Sequence, residues 1–217
     1  SIESLYTGIS SALNRHEAAL GGGNISAGKE FSIDLFAIGQ GTPDIFPLRS
    51  AATPGDGLYV TGPIGLAHAG LSCLMTRETG FPELIQKFKA PTARFDAARI
   101  LASHGVKCVM DISDGLAGDA GHIAAASKVS IEFELAGLKV DPVLAAYCQK
   151  YNRDPRMVML SGGEDYELLF AYRTGVFENI RSHRPEAFCV GRIVTFEGRP
   201  LTNLPDGIQS YQHGVQK

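Results

Sequence analysis

Several absences narrow the reading of this chain before any motif is considered. No apolar stretch approaches the roughly 20 residues that span a bilayer, and the start carries no signal-peptide pattern, so the 217 residues read as a cytoplasmic chain with no membrane segment. No basic run occurs. Lys and Arg total 20 against 23 Asp and Glu, which removes the electrostatic footprint that a phosphate backbone requires, and no nucleic-acid partner is expected. The four cysteines, Cys73, Cys108, Cys148 and Cys189, lack Cys-x-x-Cys spacing and fall in apolar surroundings, as reduced core residues do. None of the six histidines has zinc spacing, and a structural or surface place is expected for each, His122 included. With 44% hydrophobic residues the chain can fill one sizeable core, or one domain with an attached piece.

What the chain does have is clustered carboxylates at its bends. Met110-Asp111-Ile112-Ser113-Asp114-Gly115-Leu116 closes an apolar run that starts at Val106. Asp111 should therefore emerge where a buried strand gives way to a turn, and Asp114-Gly115 should open a helix. Some fifty residues on, Ser161-Gly162-Gly163-Glu164-Asp165-Tyr166-Glu167-Leu168 repeats the device, with two glycines that would let a ligand approach the backbone. Carboxylates at such edges suit Mg²⁺, which takes hard oxygen ligands and bridges to phosphates, so phosphoryl transfer is the first expectation. A plain helix N-cap remains an equal account of Asp114. Gly23-Asn24-Ile25-Ser26-Ala27-Gly28-Lys29 imitates a P-loop, but Glu30 stands where Ser or Thr should follow, and the next residues read as a strand rather than a helix.

Taken together, Gly22-Gly23-Asn24, Arg49-Ser50, Val60-Thr61-Gly62 and the two acidic motifs resemble thiamine-monophosphate kinase, of the aminoimidazole-ribonucleotide synthetase superfamily. The Asp-x-Ser-Asp-Gly-Leu motif is shared loosely with sister families, whereas Ser-Gly-Gly-Glu-Asp-Tyr-Glu-Leu points to the thiamine-phosphate branch. The resemblance implies an α+β fold, a mixed β-sheet layer with helices packed on one side. It divides the chain into 1–41, the last helix and strand of a nucleotide-binding domain, and 42–217, a carboxy-terminal domain of the synthetase type. About a hundred residues usually precede this region in the family, so the chain looks like a fragment or a short form and is expected to be a poor catalyst by itself.

Carried over position by position, the resemblance makes Asp111 and Asp114 Mg²⁺ ligands and catalytic residues, and Ser113 a nucleotide contact. The family's Gly-Gly-Asp falls on Gly22-Gly23-Asn24, giving Gly23 and Asn24 nucleotide roles and Asn24 a metal role. Asn24 departs from the pattern, and its amide brings no negative charge to a cation. Arg49 takes the place of a nucleotide-contacting arginine, although an exposed loop arginine is an equal account of it. Glu164, Asp165 and Tyr211 are the expected contacts of thiamine monophosphate. Partners implied are ATP and that substrate, with a homodimer for the complete protein. Two alternatives stay open, a non-catalytic module that binds phosphate compounds and a sister enzyme with another acceptor.

Periodicity supplies the elements. Ile2, Leu5, Tyr6, Ile9, Ala12 and Leu13 mark an opening amphipathic helix, and 31–38 alternates as a strand. A proline-rich linker over 42–54 leads to a strand at 57–61. Helices are predicted at 66–79, 93–104, 116–127, 142–151 and 176–182, and strands at 106–110, 129–134, 167–172 and 187–194. Hairpin turns are predicted at Glu197-Gly198 and at Pro205-Asp206-Gly207, with order to about Tyr211.

Overall fold

Leu58 and Val60 are fully buried on one side of a strand and Tyr59 is buried on the other, and this alternation sets the whole layer arrangement. The computed structural model describes residues 1–41, 46–205 and 207–208. Tyr211 lies outside the described residues, as do Thr42 to Ile45 of the predicted linker and Asp206 of the second predicted turn. The chain divides into two compact units, Ser1–Gly41 and Thr42–Lys217.

In the first unit, helix α1 (Ile2–Asn14) is capped by Ser1, whose hydroxyl accepts from the Ser4 N–H at 3.2 Å. None of its residues is fully buried. The strand predicted over 31–38 does not form, and Phe31, Leu35, Phe36 and Ile38 are more than three-quarters exposed. Alternation selects a face, but a strand exists only where a neighbour completes its hydrogen-bond ladder, and none of the described residues does so here.

The second unit is built on β1 (Asp56–Val60), β2 (Cys108–Asp111), β3 (Val129–Phe133), β4 (Leu168–Arg173), β5 (Phe188–Thr195) and β6 (Leu201–Thr202). They form one mixed sheet in the order β2-β4-β1-β5-β3-β6, antiparallel except for the β3–β6 pair. The turn at Gly198 is present, with φ +82°, but β6 passes beyond β5 and pairs with β3, so the expected hairpin is a crossover.

The main helical layer holds α2 (Leu66–Thr76), α3 (Pro82–Lys89), α5 (Leu116–Ser127), α6 (Pro142–Lys150) and α7 (Pro155–Ser161). Leu84, Leu116, Ile123, Leu144 and Met159 from these helices meet Leu58, Val60, Leu169 and Ile131 of the sheet. The expected layer is joined by a smaller one on the opposite face. There α4 (Phe95–Ser103) and α8 (Phe177–His183) place Leu101, Phe177 and Ile180 against Tyr59 and Phe170, and the Tyr59 and Phe177 rings stack at 3.9 Å.

Helices α3 and α7 were not anticipated. Each is only two turns long, too short for periodicity to register, yet each has Pro in its first turn, and Asp154 caps α7 by accepting from the Arg156 N–H at 2.8 Å. Helices α2 and α3 cross so closely that a Cβ on Gly70 would overlap the Leu84 carbonyl. Gly70→Ala should therefore destabilise the fold by about 1–3 kcal/mol, read as a lower urea midpoint with unchanged slope.

Candidate functional site

The end of β2 and the start of β4 lie side by side, with Asp111 opposite Leu168. This register delivers both acidic motifs to one end of the sheet, in the loops 112–115 and 162–167. Three backbone hydrogen bonds lock the loops together. The Ile112 N–H donates to the Glu167 carbonyl at 2.8 Å, the Tyr166 N–H to the Ile112 carbonyl at 2.9 Å, and the Glu164 N–H to the Ser113 carbonyl at 2.9 Å. Only glycine permits this approach. A Cβ on Gly163 would overlap the Ser113 carbonyl, one on Gly115 would meet the Ser161 carbonyl at 2.9 Å, and one on Gly162 would run into the Val158 carbonyl and His68. The double glycine was expected to admit a ligand, but it is the protein itself that fills the space.

Within Glu164-Asp165-Tyr166-Glu167 the side chains sort by position. Glu164 and Tyr166 adopt left-handed backbone, φ 69° and 51°, which non-glycine residues rarely accept. Glu164 is exposed, and the Tyr166 hydroxyl donates to its carboxylate at 3.1 Å. The Tyr166 hydroxyl's pKa is raised, first by burial and then by Glu164, with Asp111 and Asp114 adding to it, so the ring stands within reach of both motifs.

Asp165 and Glu167 serve the fold instead. The Asp165 carboxylate accepts from the N–H groups of Gly65 and Ala67 (3.0 Å for the latter), closing the start of α2. Asp165, expected as a substrate contact, is thus placed against a helix end. Glu167 is 1% exposed and accepts from the Thr61 hydroxyl at 2.7 Å and from Arg94. Gly62 leaves room for it, since a Cβ there would lie 2.9 Å from the carboxylate. The Val60-Thr61-Gly62 motif is therefore part of a buried charge bracket.

On the facing loop, Asp111, Ser113 and Asp114 are half-buried. The N-cap expectation for Asp114 is corrected, because Gly115 occupies the cap position of α5, with φ +106° and no side-chain cap. The loop's own amides are held from the helix by Asp119, whose Oδ2 accepts from the Ser113 and Asp114 N–H groups at 3.1 Å each. Asp119 is 1% exposed. Burial, aided by the charges of Asp114 and Asp111, pushes its pKa up to about 6 against the pull of those two N–H groups.

Asp114, Asp119 and the exposed ring of His122 bring one donor atom each to within 4.8 Å of one another, the one such trio among the described residues. Asp119 was not singled out, and His122 was expected only in a structural or surface place. Their three-residue spacing on one helix face was the available signal.

Gly23 and Asn24 are exposed in the first unit. Arg49 is exposed, and its carbonyl accepts from Ser127 at the end of α5 at 2.9 Å, while the neighbouring Leu48 N–H donates to the Lys107 carbonyl before β2. That places the Arg49 backbone at the far end of β2, about 13 Å along the strand from Asp111.

Comparison with known proteins follows the same residues. Residues 53–179 match AIR synthase related protein, C-terminal domain. The chain belongs to this family. It is 36% identical over 175 residues to thiamine-monophosphate kinase of Aquifex aeolicus, covering 79% of this chain and 56% of that protein. It is 34% identical to the Methanopyrus kandleri enzyme of that name, covering 94% and 64%. The chain thus spans somewhat over half the length of these relatives. Among solved structures, "AaThiL complexed with AMPPCP and TMP" superposes with a TM-score of 0.66 at 32% identity, over 77% of this chain and 54% of that one. E. coli HypE, a hydrogenase maturation protein, superposes with a TM-score of 0.59 at 19% identity over 79% and 54%, which shows the fold alone.

Two outcomes test this geometry. Arg94→Ala strands the buried Glu167 carboxylate and should cost about 3–5 kcal/mol in denaturant unfolding. Burial also pushes Asp165 up to about 7 despite its two N–H donors, with Glu167 adding to the rise. Folded Asp165 then keeps its proton at pH values where the unfolded chain has lost it. Its contribution to stability is full below about pH 4 and is lost as pH rises towards 7. Asp165→Asn should remove that part of the slope, about 1–3 kcal/mol across the window, when urea midpoints are compared at pH 4 and pH 7.5.

Proposed function

We propose that this chain serves the ATP- and Mg²⁺-dependent phosphorylation of thiamine monophosphate to thiamine diphosphate. The observation that carries the reading is the interlocked pair of loops, which gathers Asp111, Ser113, Asp114 and Glu164 at one end of the sheet in a chain similar to thiamine-monophosphate kinases over most of its length.

The donor set fits Mg²⁺. Asp111 and Asp114 offer hard carboxylate oxygens that water can reach, both carried by the one loop that Asp119 holds through its amides. When bound, Mg²⁺ neutralises charge between two anionic partners. The protein's share is positioning. Asp111 and Asp114 would hold the ion, Ser113 would contact the nucleotide, and Glu164, steadied by Tyr166, would meet the acceptor.

The γ-phosphorus of ATP gains a bond to a phosphate oxygen of thiamine monophosphate as its bond to the β–γ bridging oxygen breaks, and ADP departs with that oxygen. Direct in-line transfer needs no phosphoenzyme, and positioning with electrostatic stabilisation is the main demand on the protein. Arg49 stays outside this set because its backbone is anchored at the other end of β2.

In a protein covering the full length of the relatives, Asp114→Ala should lower thiamine diphosphate formation at least about 100-fold while leaving the circular dichroism melt unchanged. Unchanged turnover would remove Asp114 from the metal site, and turnover absent from the unaltered protein with thiamine monophosphate would remove the acceptor assignment.

A further inference from the structure

The proposed reaction uses the oxygens of Asp111 and Asp114 and leaves the imidazole beside them unexplained. Asp119 and His122 are three residues apart on α5, so both project from one face of the helix towards the loop that carries Asp114. The three donor atoms lie within 4.8 Å of one another. Bonds of about 2.1 Å to one ion would hold them within roughly 4.2 Å, so side-chain rotation of well under an ångström per residue closes the set. Rigidity is already present. The Asp119 carboxylate is fixed to the Ser113 and Asp114 amides at 3.1 Å each, which ties two of the three ligands to one another through a single turn of backbone. His122 is exposed, so its ring is free to turn towards an incoming ion.

We propose that Asp114, Asp119 and His122 form a binding site for a divalent transition cation of the zinc class, alongside the hard-ion ligand Asp111. The chemistry of the donors selects the ion. Mg²⁺ and Ca²⁺ take oxygen ligands, whereas an imidazole nitrogen with carboxylate oxygens suits Zn²⁺ and its first-row neighbours, which bind such sites more tightly than Mn²⁺ does. Two carboxylates and one neutral imidazole also balance a dication. They outweigh the partial positive charge of the α5 N-terminus, part of which Asp119 absorbs by accepting the two loop amides. Three protein ligands leave a fourth position for water or a phosphate oxygen. The site rests on the reading above only through Asp114, and its occupancy does not require kinase turnover.

The test is titration calorimetry of the whole chain with Zn²⁺ at pH 7.5 in the presence of excess Mg²⁺. One Zn²⁺ per chain should bind without displacement by Mg²⁺. His122→Ala should weaken that binding at least tenfold, and His183→Ala, which removes an exposed histidine outside the trio, should leave it unchanged. His122 is exposed, so its loss should not disturb the fold, and a circular dichroism melt checks this. No Zn²⁺ binding to the folded wild-type chain overturns the proposal, as does His122→Ala binding Zn²⁺ like wild type. Failure of thiamine monophosphate as a substrate leaves Zn²⁺ binding unaffected, so the two readings fail separately.

Discussion

Everything in the candidate site depends on the contact between the 112–115 and 162–167 loops. Three backbone hydrogen bonds of 2.8 to 2.9 Å make that contact, and it exists because Gly115 and Gly163 carry no Cβ. It sets the separation of the two acidic motifs and holds Glu164 and Tyr166 in left-handed backbone. It also fixes which way each side chain of the acidic run points. Such strain persists only where surrounding bonds over-determine it, and here the Glu164 and Tyr166 N–H groups are themselves two of the three donors.

Charge is divided by the same geometry. The carboxylates that turn inward are all answered by donors: Asp165 by the start of α2, Glu167 by Thr61 and Arg94, Asp119 by the loop amides. Asp111, Asp114 and Glu164 are left closer to solvent at the sheet end. Buried charge must be paired to be tolerated, whereas charge near water can be held for a ligand. The acidic motifs are thus partly frame and partly candidate site. The frame residues fix the backbone that carries the others.

Much of this was legible beforehand, for reasons that differ by residue. Helix 116–127 matched its predicted span because its apolar positions repeat over three turns, and the strands containing Tyr59, Met110, Ile131 and Phe170 were recognisable from short β-rich apolar runs. The 31–38 segment failed because alternation does not supply a ladder partner. The bonds of Asp165 to the start of α2 could not be foreseen, because an acidic residue beside a site looks the same in sequence whether or not it also closes a helix a hundred residues away. His122 was passed over because its partners are Asp119 on its own helix and Asp114 in the preceding loop, a spacing unlike that of familiar zinc motifs.

By itself the sequence determined the composition of the core, the periodicity of the longer helices and the two carboxylate motifs, since these are local patterns of residue type. Tertiary structure alone decided that Asp111 faces Leu168, that Thr61 and Arg94 neutralise Glu167, and that Asp114, Asp119 and His122 converge. Sheet register, loop approach and the burial of a charge depend on groups far apart in the chain, and no local pattern encodes the distance between them.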